Sequence, residues 1–294
     1  MFNIAGYFEA RSVGEATQLL AANPQLKIIA GGTDVLIKMH GGQLEEAELL
    51  SIRNIHALER IEKLADGTIV IGPLATFTKL CNDPVIKDKL PALAEAALSM
   101  GGPQIRNIAT IGGNVCNGAT SADSASTLFA LNARLKLTGN RGERIVPIEE
   151  FYLGPGQVDL RGGEILTDIL IASADYQGFA GHYVKFAMRK AMDIATLGVS
   201  VACKLTNGKM FEEVRIALGV AAPTPIRCCE AEEYARGKEI SAEILTEMGK
   251  LAVNSTQART SWRASKEYRE HLVEVLTERA LRVAIERAGG VNFA

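Results

Sequence analysis

The stretch of residues 104–123, QIRNIATIGGNVCNGATSAD, constrains this chain more than any other. It contains Gly112, Gly113 and Gly118 and few large apolar side chains, so it predicts a long loop of low bulk. Such a loop exposes backbone N–H groups and lets another molecule approach the main chain closely. Phosphate or pyrophosphate is the natural ligand of these donors. An ordinary surface turn lined by glycine is the alternative interpretation.

A second glycine segment lies near the N-terminus, where residues 28–39 read IIAGGTDVLIKM. The mostly apolar run 26–30 predicts a short buried strand that ends in Gly31, Gly32, Thr33 and Asp34. The segment is not a nucleotide P-loop, because no lysine followed by Ser or Thr stands at the required offset. It is not a dinucleotide fingerprint either, because no GxGxxG opens a helix. Two glycine-rich segments that each follow an apolar run favour phosphate binding over a pair of simple turns.

Composition narrows the class of protein. The 294 residues are 47% apolar and 22% charged with a net charge of −2, which predicts one large or two ordinary globular domains. This balance gives no electrostatic case for nucleic acid. No apolar run reaches the roughly 18 residues of a membrane span. The N-terminal segment MFNIAGYFEARS does not read as a secretory signal, so we expect a cytoplasmic protein.

Cysteine and histidine usage predicts no metal site in this chain. The five cysteines include no CxxC pair, and the four histidines include no HExxH pair. The odd cysteine count without paired spacing also argues against a disulfide framework. Any iron–sulfur centre used with this protein is therefore expected on another chain.

The pattern along the chain predicts an α+β architecture in two parts. In the first part, Ser12 and Glu15 predict a capped helix, Pro91 divides a helical stretch over 84–100, and the 139–142 turn joins two strands. Residues 164–172 read as a strand, and the polar stretch 173–181 is the predicted domain boundary.

The second part is predicted as three strands backed by helices. The strands cover 183–188, 198–205 and 214–220, and the Asn207-Gly208 turn joins the last two. Ser241 caps one predicted helix, and a longer amphipathic helix covers 262–288 and stops at Gly289. The apolar face predicted for the long helix consists of Leu272, Val275, Leu276, Ala280 and Val283, with Arg279 at the same spacing.

Two charged residues are candidates on chemical grounds alone. Asp123 ends the 104–123 stretch, where its carboxylate could accept ribose hydroxyls or cap a helix that begins near Ala125. Lys185 lies inside an apolar strand, where it could face solvent or point its charge at a bound anion or a reduced flavin ring.

Several motifs resemble the FAD-binding medium subunits of the molybdenum hydroxylases, the xanthine dehydrogenase and carbon monoxide dehydrogenase family. The resemblance covers essentially the whole chain. Its most specific motifs are AGGTD at 30–34 and TIGGN at 110–114, and TSADSA, APTPIRC and SWRASKEYR are most similar to the bacterial xanthine dehydrogenase branch.

The resemblance implies a FAD-binding domain of the vanillyl-alcohol oxidase (PCMH) type over 1–175, itself in two parts. A smaller domain over 180–290 follows, with a three-stranded antiparallel sheet and helices. The resemblance implies that the first glycine motif wraps the FAD pyrophosphate and that the second adds further contacts. It also implies that Asp123 holds the ribose or adenine end of FAD. Leu166 and Lys185 are implied to lie near the isoalloxazine ring. Met100 stands where animal members carry an aromatic residue. The implied FAD-binding residues are Ile29, Ala30, Gly31, Gly32, Thr33, Asp34, Val35, Thr110, Gly113, Asn114, Asn117, Asp123, Leu166 and Lys185.

The resemblance also implies a function within a complex. A large partner subunit with molybdopterin oxidises a purine or related heterocycle, and a small partner subunit carries [2Fe–2S] clusters. This chain accepts the electrons on FAD and passes them to NAD+ or another acceptor. The implied assembly is a doubled heterotrimer. Two alternatives stay open: service to another molybdenum hydroxylase, of the aldehyde, nicotinate or CO dehydrogenase type, and a flavin-free scaffold.

Overall fold

The computed structural model describes residues 3–291, and the chain begins with a parallel sheet of three strands in the order β1-β3-β2. The elements of this part are β1 (Ile4–Glu9), α1 (Val13–Ala22), β2 (Lys27–Ile29), α2 (Val35–His40) and β3 (Ala47–Ser51). The hydroxyl of Ser12 accepts a hydrogen bond of 3.1 Å from the backbone N–H of Glu15, which confirms the predicted cap. Helix α1 buries Ala16 and Leu20 against a small core that also contains Leu50.

A five-stranded antiparallel sheet in the order β4-β5-β10-β6-β7 forms the second layer. Its strands are β4 (Ile61–Lys63), β5 (Ile69–Ile71), β6 (Arg134–Gly139), β7 (Gly142–Pro147) and β10 (Ile165–Ile171), with a separate hairpin of β8 (Tyr152–Gly154) and β9 (Gln157–Val158). The predicted hairpin around 139–142 and the predicted strand over 164–172 are both confirmed. Strand β10 is central and almost fully buried, which explains its nearly continuous apolar sequence.

Seven short helices connect and cover this sheet. They are α3 (Phe77–Asn82), α4 (Pro84–Lys89), α5 (Pro91–Ser99), α6 (Pro103–Arg106), α7 (Ile111–Cys116), α8 (Ala125–Ala130) and α9 (Ile148–Phe151), and 3-10 turns lie at His56–Glu59 and Ser173–Asp175. Pro91 divides α4 from α5 as predicted, because proline cannot donate a hydrogen bond inside a helix. The prediction of one long loop over 104–123 is wrong, because α6 and α7 occupy much of it.

The C-terminal part is an antiparallel sheet in the order β11-β12-β13-β14, backed by helices. Its elements are β11 (Ala180–Phe186), β12 (Leu197–Thr206), β13 (Met210–Gly219), β14 (Ile226–Arg227), α10 (Cys229–Ala235), α11 (Ala242–Asn254) and α12 (Lys266–Arg287). The three predicted strands are present, and a fourth strand of only two residues joins the edge. Asn207 and Gly208 both adopt positive φ, 53° and 67°, in the turn between β12 and β13.

The long C-terminal helix differs from its prediction in two respects. Helix α12 begins only after Ser265, whose hydroxyl accepts the N–H of Tyr268, so the predicted start at 262 is four residues early. The side chains of Val273, Leu281 and Ile285 are buried, whereas Val275 and Val283 of the predicted face are only half-buried. The helix is buried more widely than a single stripe because both β12 and α11 pack against it. Within residues 3–291, α12 and the shorter helices all lack the length and apolarity to cross a bilayer.

Glu95 of α5 joins the first part of the chain to the second. Its carboxylate lies 2.8 Å from Nδ1 of His182 and accepts hydrogen bonds of 2.9 Å from the N–H of Tyr183 and 2.6 Å from Nη2 of Arg287. Burial alone would raise the pKa of Glu95, but the hydrogen bonds from His182 and Arg287 outweigh it and lower the pKa to about 2. The carboxylate therefore stays ionised and ties the two parts together.

Candidate functional site

A cleft of about 560 Å³ lies between the two glycine segments and is closed on another side by β10 and the loop before it. This volume is within the range of small-molecule and cofactor sites. Eleven of the fourteen predicted binding residues line it: Ala30, Gly31, Gly32, Thr33, Asp34, Val35, Thr110, Gly113, Asn114, Asn117 and Leu166. The structure thus brings together residues from three separate stretches of the sequence.

Gly31 brings the two glycine segments into contact. A Cβ atom on Gly31 would lie 2.1 Å from the carbonyl oxygen of Ile108 and 3.1 Å from Cα of Ala109, so only glycine permits this approach. Gly32 follows with φ of +74°, a conformation that L side chains rarely adopt. These two positions explain the paired glycines at the end of β2.

The first segment presents unused donors to the cleft. In the described part of the chain, no residue accepts a hydrogen bond from the backbone N–H groups of Gly32, Thr33 or Asp34. Helix α2 follows directly, and its Leu36 N–H donates 2.9 Å to the carbonyl of Gly32, so the free donors lie in the segment before the helix. An array of this kind favours an anionic group, as predicted from the sequence.

The second segment works differently from the prediction. Its N–H groups are largely used inside the protein: Gly113 donates 3.2 Å to the hydroxyl of Thr110, which caps α7, and Gly112 donates 2.9 Å to the carbonyl of Pro73. A Cβ on Gly112 would lie 2.3 Å from Cβ of Pro73. The expectation of a second array of free donors is therefore wrong at Gly112 and Gly113, which instead permit close packing. The side chains of this segment that line the cleft include Asn114 and Asn117.

Lys38 is a lining residue that sequence reasoning missed. It lies on α2, and its Nζ donates a hydrogen bond of 2.7 Å to Oδ1 of Asn117 in the second segment. The available signal was its spacing of four residues from Asp34, which would place both side chains on the same face of a helix.

The loop over 159–164 forms one rim of the cleft and is held by Arg144. The guanidinium donates 2.6 Å to both Oδ2 and the carbonyl of Asp159, and 2.9 and 2.8 Å to the two carboxylate oxygens of Glu164. The hydrogen bond from Arg144 lowers the pKa of the Glu164 carboxyl against a smaller effect of burial. This bidentate contact fixes the loop that leads into Leu166. No sequence signal had singled out Arg144.

An apolar wall faces this region from two elements. Leu166 on β10 and Met100 after α5 both line the cleft. Leu166 pairs with Leu137 across the sheet, which keeps its backbone fixed.

Three predicted residues are not among those that line the cleft: Ile29, Asp123 and Lys185. The last two contact each other, because Nζ of Lys185 donates 2.8 Å to Oδ2 of Asp123, and both side chains are at most 10% exposed. Lys185 also donates 3.2 Å to the carbonyl of Ser99, next to the lining residue Met100. Burial raises the pKa of Asp123, and Lys185 opposes that effect. The alternative of Asp123 as a helix cap is wrong, because Ser124 occupies the N-cap of α8.

Comparison with known proteins gives the family. Residues 1–174 match the model of the FAD binding domain in molybdopterin dehydrogenase, and residues 182–284 match that of the CO dehydrogenase flavoprotein C-terminal domain. The chain belongs to the FAD-binding medium subunits of the molybdenum hydroxylases.

Individual members of this family match over nearly their full length. The chain is 44% identical over 290 residues to the xanthine dehydrogenase FAD-binding subunit of Escherichia coli O157:H7, covering 99% of both chains. It is 31% identical to the carbon monoxide dehydrogenase medium chain of Hydrogenophaga pseudoflava, covering 96% of this chain and 97% of that one. A solved structure of carbon monoxide dehydrogenase from the same organism superimposes with a TM-score of 0.93 at 30% identity, covering 98% and 99% of the two chains. The predicted fold class is thereby confirmed.

The residues of the cleft fit FAD. The free backbone donors of the first segment suit a diphosphate, and the apolar side chains of Leu166 and Met100 suit a flavin ring. At Gly31 the backbones of the two glycine segments touch, with no room for a Cβ between them.

Proposed function

We propose that this chain is the FAD-binding subunit of a xanthine dehydrogenase-like complex. It accepts electrons from [2Fe–2S] clusters of a small partner subunit and passes them to NAD+ or another acceptor, while a large partner subunit binds molybdopterin and oxidises the substrate. The 44% identity to a xanthine dehydrogenase FAD-binding subunit over 99% of both chains supports this reading. A cytoplasmic, doubled heterotrimer that serves purine metabolism is part of the same proposal.

The observation that carries the proposal is the contact of the two glycine segments at Gly31. The cleft beside this contact is lined by the first segment, whose backbone N–H groups at Gly32, Thr33 and Asp34 are unused. We propose that residues 29–35 hold the diphosphate of FAD, and that Thr110, Gly113, Asn114 and Asn117 contact the nucleotide from the opposite segment. Leu166 packs near the isoalloxazine ring.

Asp123 and Lys185 enter the proposal as a pair. The short contact between them supports a joint role, in which Asp123 orients the ammonium group of Lys185. Because the pair is buried, water screens its charges little, and its orientation fixes the electric field that it contributes near the cleft.

When bound, FAD supplies both one-electron and two-electron redox chemistry. The chain's own residues bind and orient it. The rim loop fixed by Arg144 and the apolar wall exclude water from one side of the cleft. No residue of this chain is proposed to act as acid, base or nucleophile.

We further propose that residues 1–175 form the FAD-binding domain and residues 180–290 the C-terminal domain. Two hydrophobic cores support this division: one contains Phe77 and Leu93 and takes in Ala217 from the second part, and the other contains Val199 and Leu276.

The decisive experiment is an absorption spectrum of the purified native complex, with xanthine added first and NAD+ second. We expect xanthine to bleach the flavin bands and NAD+ to restore them as NADH appears. The isolated chain should bind FAD but not oxidise xanthine, and xanthine turnover by the isolated chain would refute this assignment.

A second candidate is the flavin subunit of another molybdenum hydroxylase. It is favoured by matches to the Eubacterium barkeri nicotinate dehydrogenase FAD-subunit, at 31% identity, and to the carbon monoxide dehydrogenase medium chain. In that case the flavin bleaches only with an aldehyde, nicotinate or CO. The flavin-free scaffold predicts a colourless complex.

A further inference from the structure

Lys38 has no role in the cleft as proposed so far, although it lies at a position where its charge would count. Its Nζ makes one hydrogen bond, 2.7 Å to Oδ1 of Asn117, within the described residues. An ammonium group carries three donors, so two remain available toward the cleft. The side chain is half-buried, which limits its screening by water.

The contact with Asn117 fixes where the charge lies. Lys38 is on the helix that follows the first glycine segment, and Asn117 ends the helix of the second, so the bond spans the cleft between residues 79 positions apart. A flexible lysine held in this way loses less conformational entropy when a ligand binds.

The charge balance of the cleft favours an anion at this place. Its lining cations are Lys27, Lys38 and Arg161, and its lining carboxylates are Asp34 and Glu164. At the rim, Arg144 and Arg161 balance the carboxylates of Glu164 and Asp159, so Lys27 and Lys38 stand against Asp34 alone and leave one positive charge in surplus. Lys27 is exposed at the start of β2, whereas Lys38 is the cation that is hydrogen-bonded to the second segment.

We propose that Lys38 is the charge-specific determinant of nucleotide binding in this chain: its ammonium group, positioned by Asn117, binds the diphosphate opposite the free N–H groups of the first segment. This inference rests on the proposed function, because it takes FAD as the ligand. It adds a lysine that acts as a point charge, where backbone donors alone would act as dipoles.

The test is the FAD dissociation constant of the full chain stripped of flavin, measured by quenching of flavin fluorescence at about 50 mM and about 300 mM NaCl. Lys38→Gln keeps a donor but removes the charge, and we expect FAD binding to weaken about tenfold with a smaller salt dependence. Lys38→Arg keeps the charge and should restore most of the affinity. Lys63→Gln removes the charge of an exposed lysine on β4, outside the cleft; it is the matched control and should bind FAD as the wild type does.

A competition experiment separates charge recognition from a structural role. ADP carries the diphosphate without the flavin, so Lys38→Gln should weaken its competition with FAD and leave competition by adenosine unchanged. Equal loss for ADP and adenosine, an unchanged FAD dissociation constant in Lys38→Gln, or an equal loss in Lys63→Gln would each overturn the inference. A wild-type chain that fails to bind FAD would instead overturn the proposed function, and this inference with it.

Discussion

Substitution of Gly31 by alanine is the sharpest test of how the cleft is built. The added Cβ would lie 2.1 Å from the carbonyl oxygen of Ile108 and 2.7 Å from its carbon, and both atoms belong to backbone that cannot rotate away. The two glycine segments must separate by about 1.3 Å to bring this contact from 2.1 Å to the 3.4 Å at which ordinary contact begins. Overpacking of this kind costs about 1–3 kcal/mol, so we expect the melting temperature to fall by about 4–8 °C for a central value of about 2 kcal/mol.

The same shift should weaken FAD binding, because it moves the N–H groups of the first segment relative to the second. The measurements are urea unfolding and FAD titration of the purified chain. Gly14→Ala is the control, because a Cβ there meets no atom within 4 Å and lies inside helix α1, where alanine is favoured by about 0.5–1 kcal/mol. If Gly31→Ala matched the wild type in both stability and FAD affinity, the close approach of the two segments would be refuted.

Three further predictions concern the rim of the cleft, the buried pair of Asp123 and Lys185, and the junction between the two parts of the chain. Arg144→Ala releases the rim loop from its hydrogen bonds and should weaken FAD binding about tenfold in the same titration, while an unchanged affinity would show that the loop needs no anchor. Lys185→Met leaves Asp123 buried without its cation and should destabilise the chain by about 3 kcal/mol. In a double-mutant cycle, adding Asp123→Asn should recover part of this loss of stability. Strictly additive changes in the free energy of unfolding would contradict the pairing. Because the pKa of Glu95 is lowered to about 2 in the folded chain from 4.5, its contribution of about 2 kcal/mol is complete above pH 4.5 and is lost as the pH falls toward 2. Unfolding of Glu95→Gln should lack that part of the acid dependence, and identical acid profiles would contradict the assignment.

Local features of the fold were predictable because their causes act within a few residues. The Ser12 cap, the break at Pro91 and the turn at Asn207 and Gly208 each follow from one side chain's effect on its own backbone. The start of α12 was placed too early because its apolar pattern continues into residues before the Ser265 cap.

Most residues of the cleft were also predictable, but the structural role of the glycines in the second segment was not. Both glycine segments were identified as binding elements, and both line the cleft. The role of Gly112 was misread, since glycine that exposes an N–H and glycine that admits a neighbouring proline have the same letter in the sequence. Only the position of Pro73 distinguishes them.

The sequence by itself determined which segments can approach closely, where helices and turns begin and end, and to which family the chain is similar. The tertiary structure alone decided which distant residues pair across the cleft, at its rim and between the two parts of the chain. Lys38 meets Asn117, Arg144 meets Glu164, and Asp123 meets Lys185 across separations of 20 to 79 residues. Such contacts depend on how whole sheets and helices pack, and the side chains that make them leave no local pattern in the sequence.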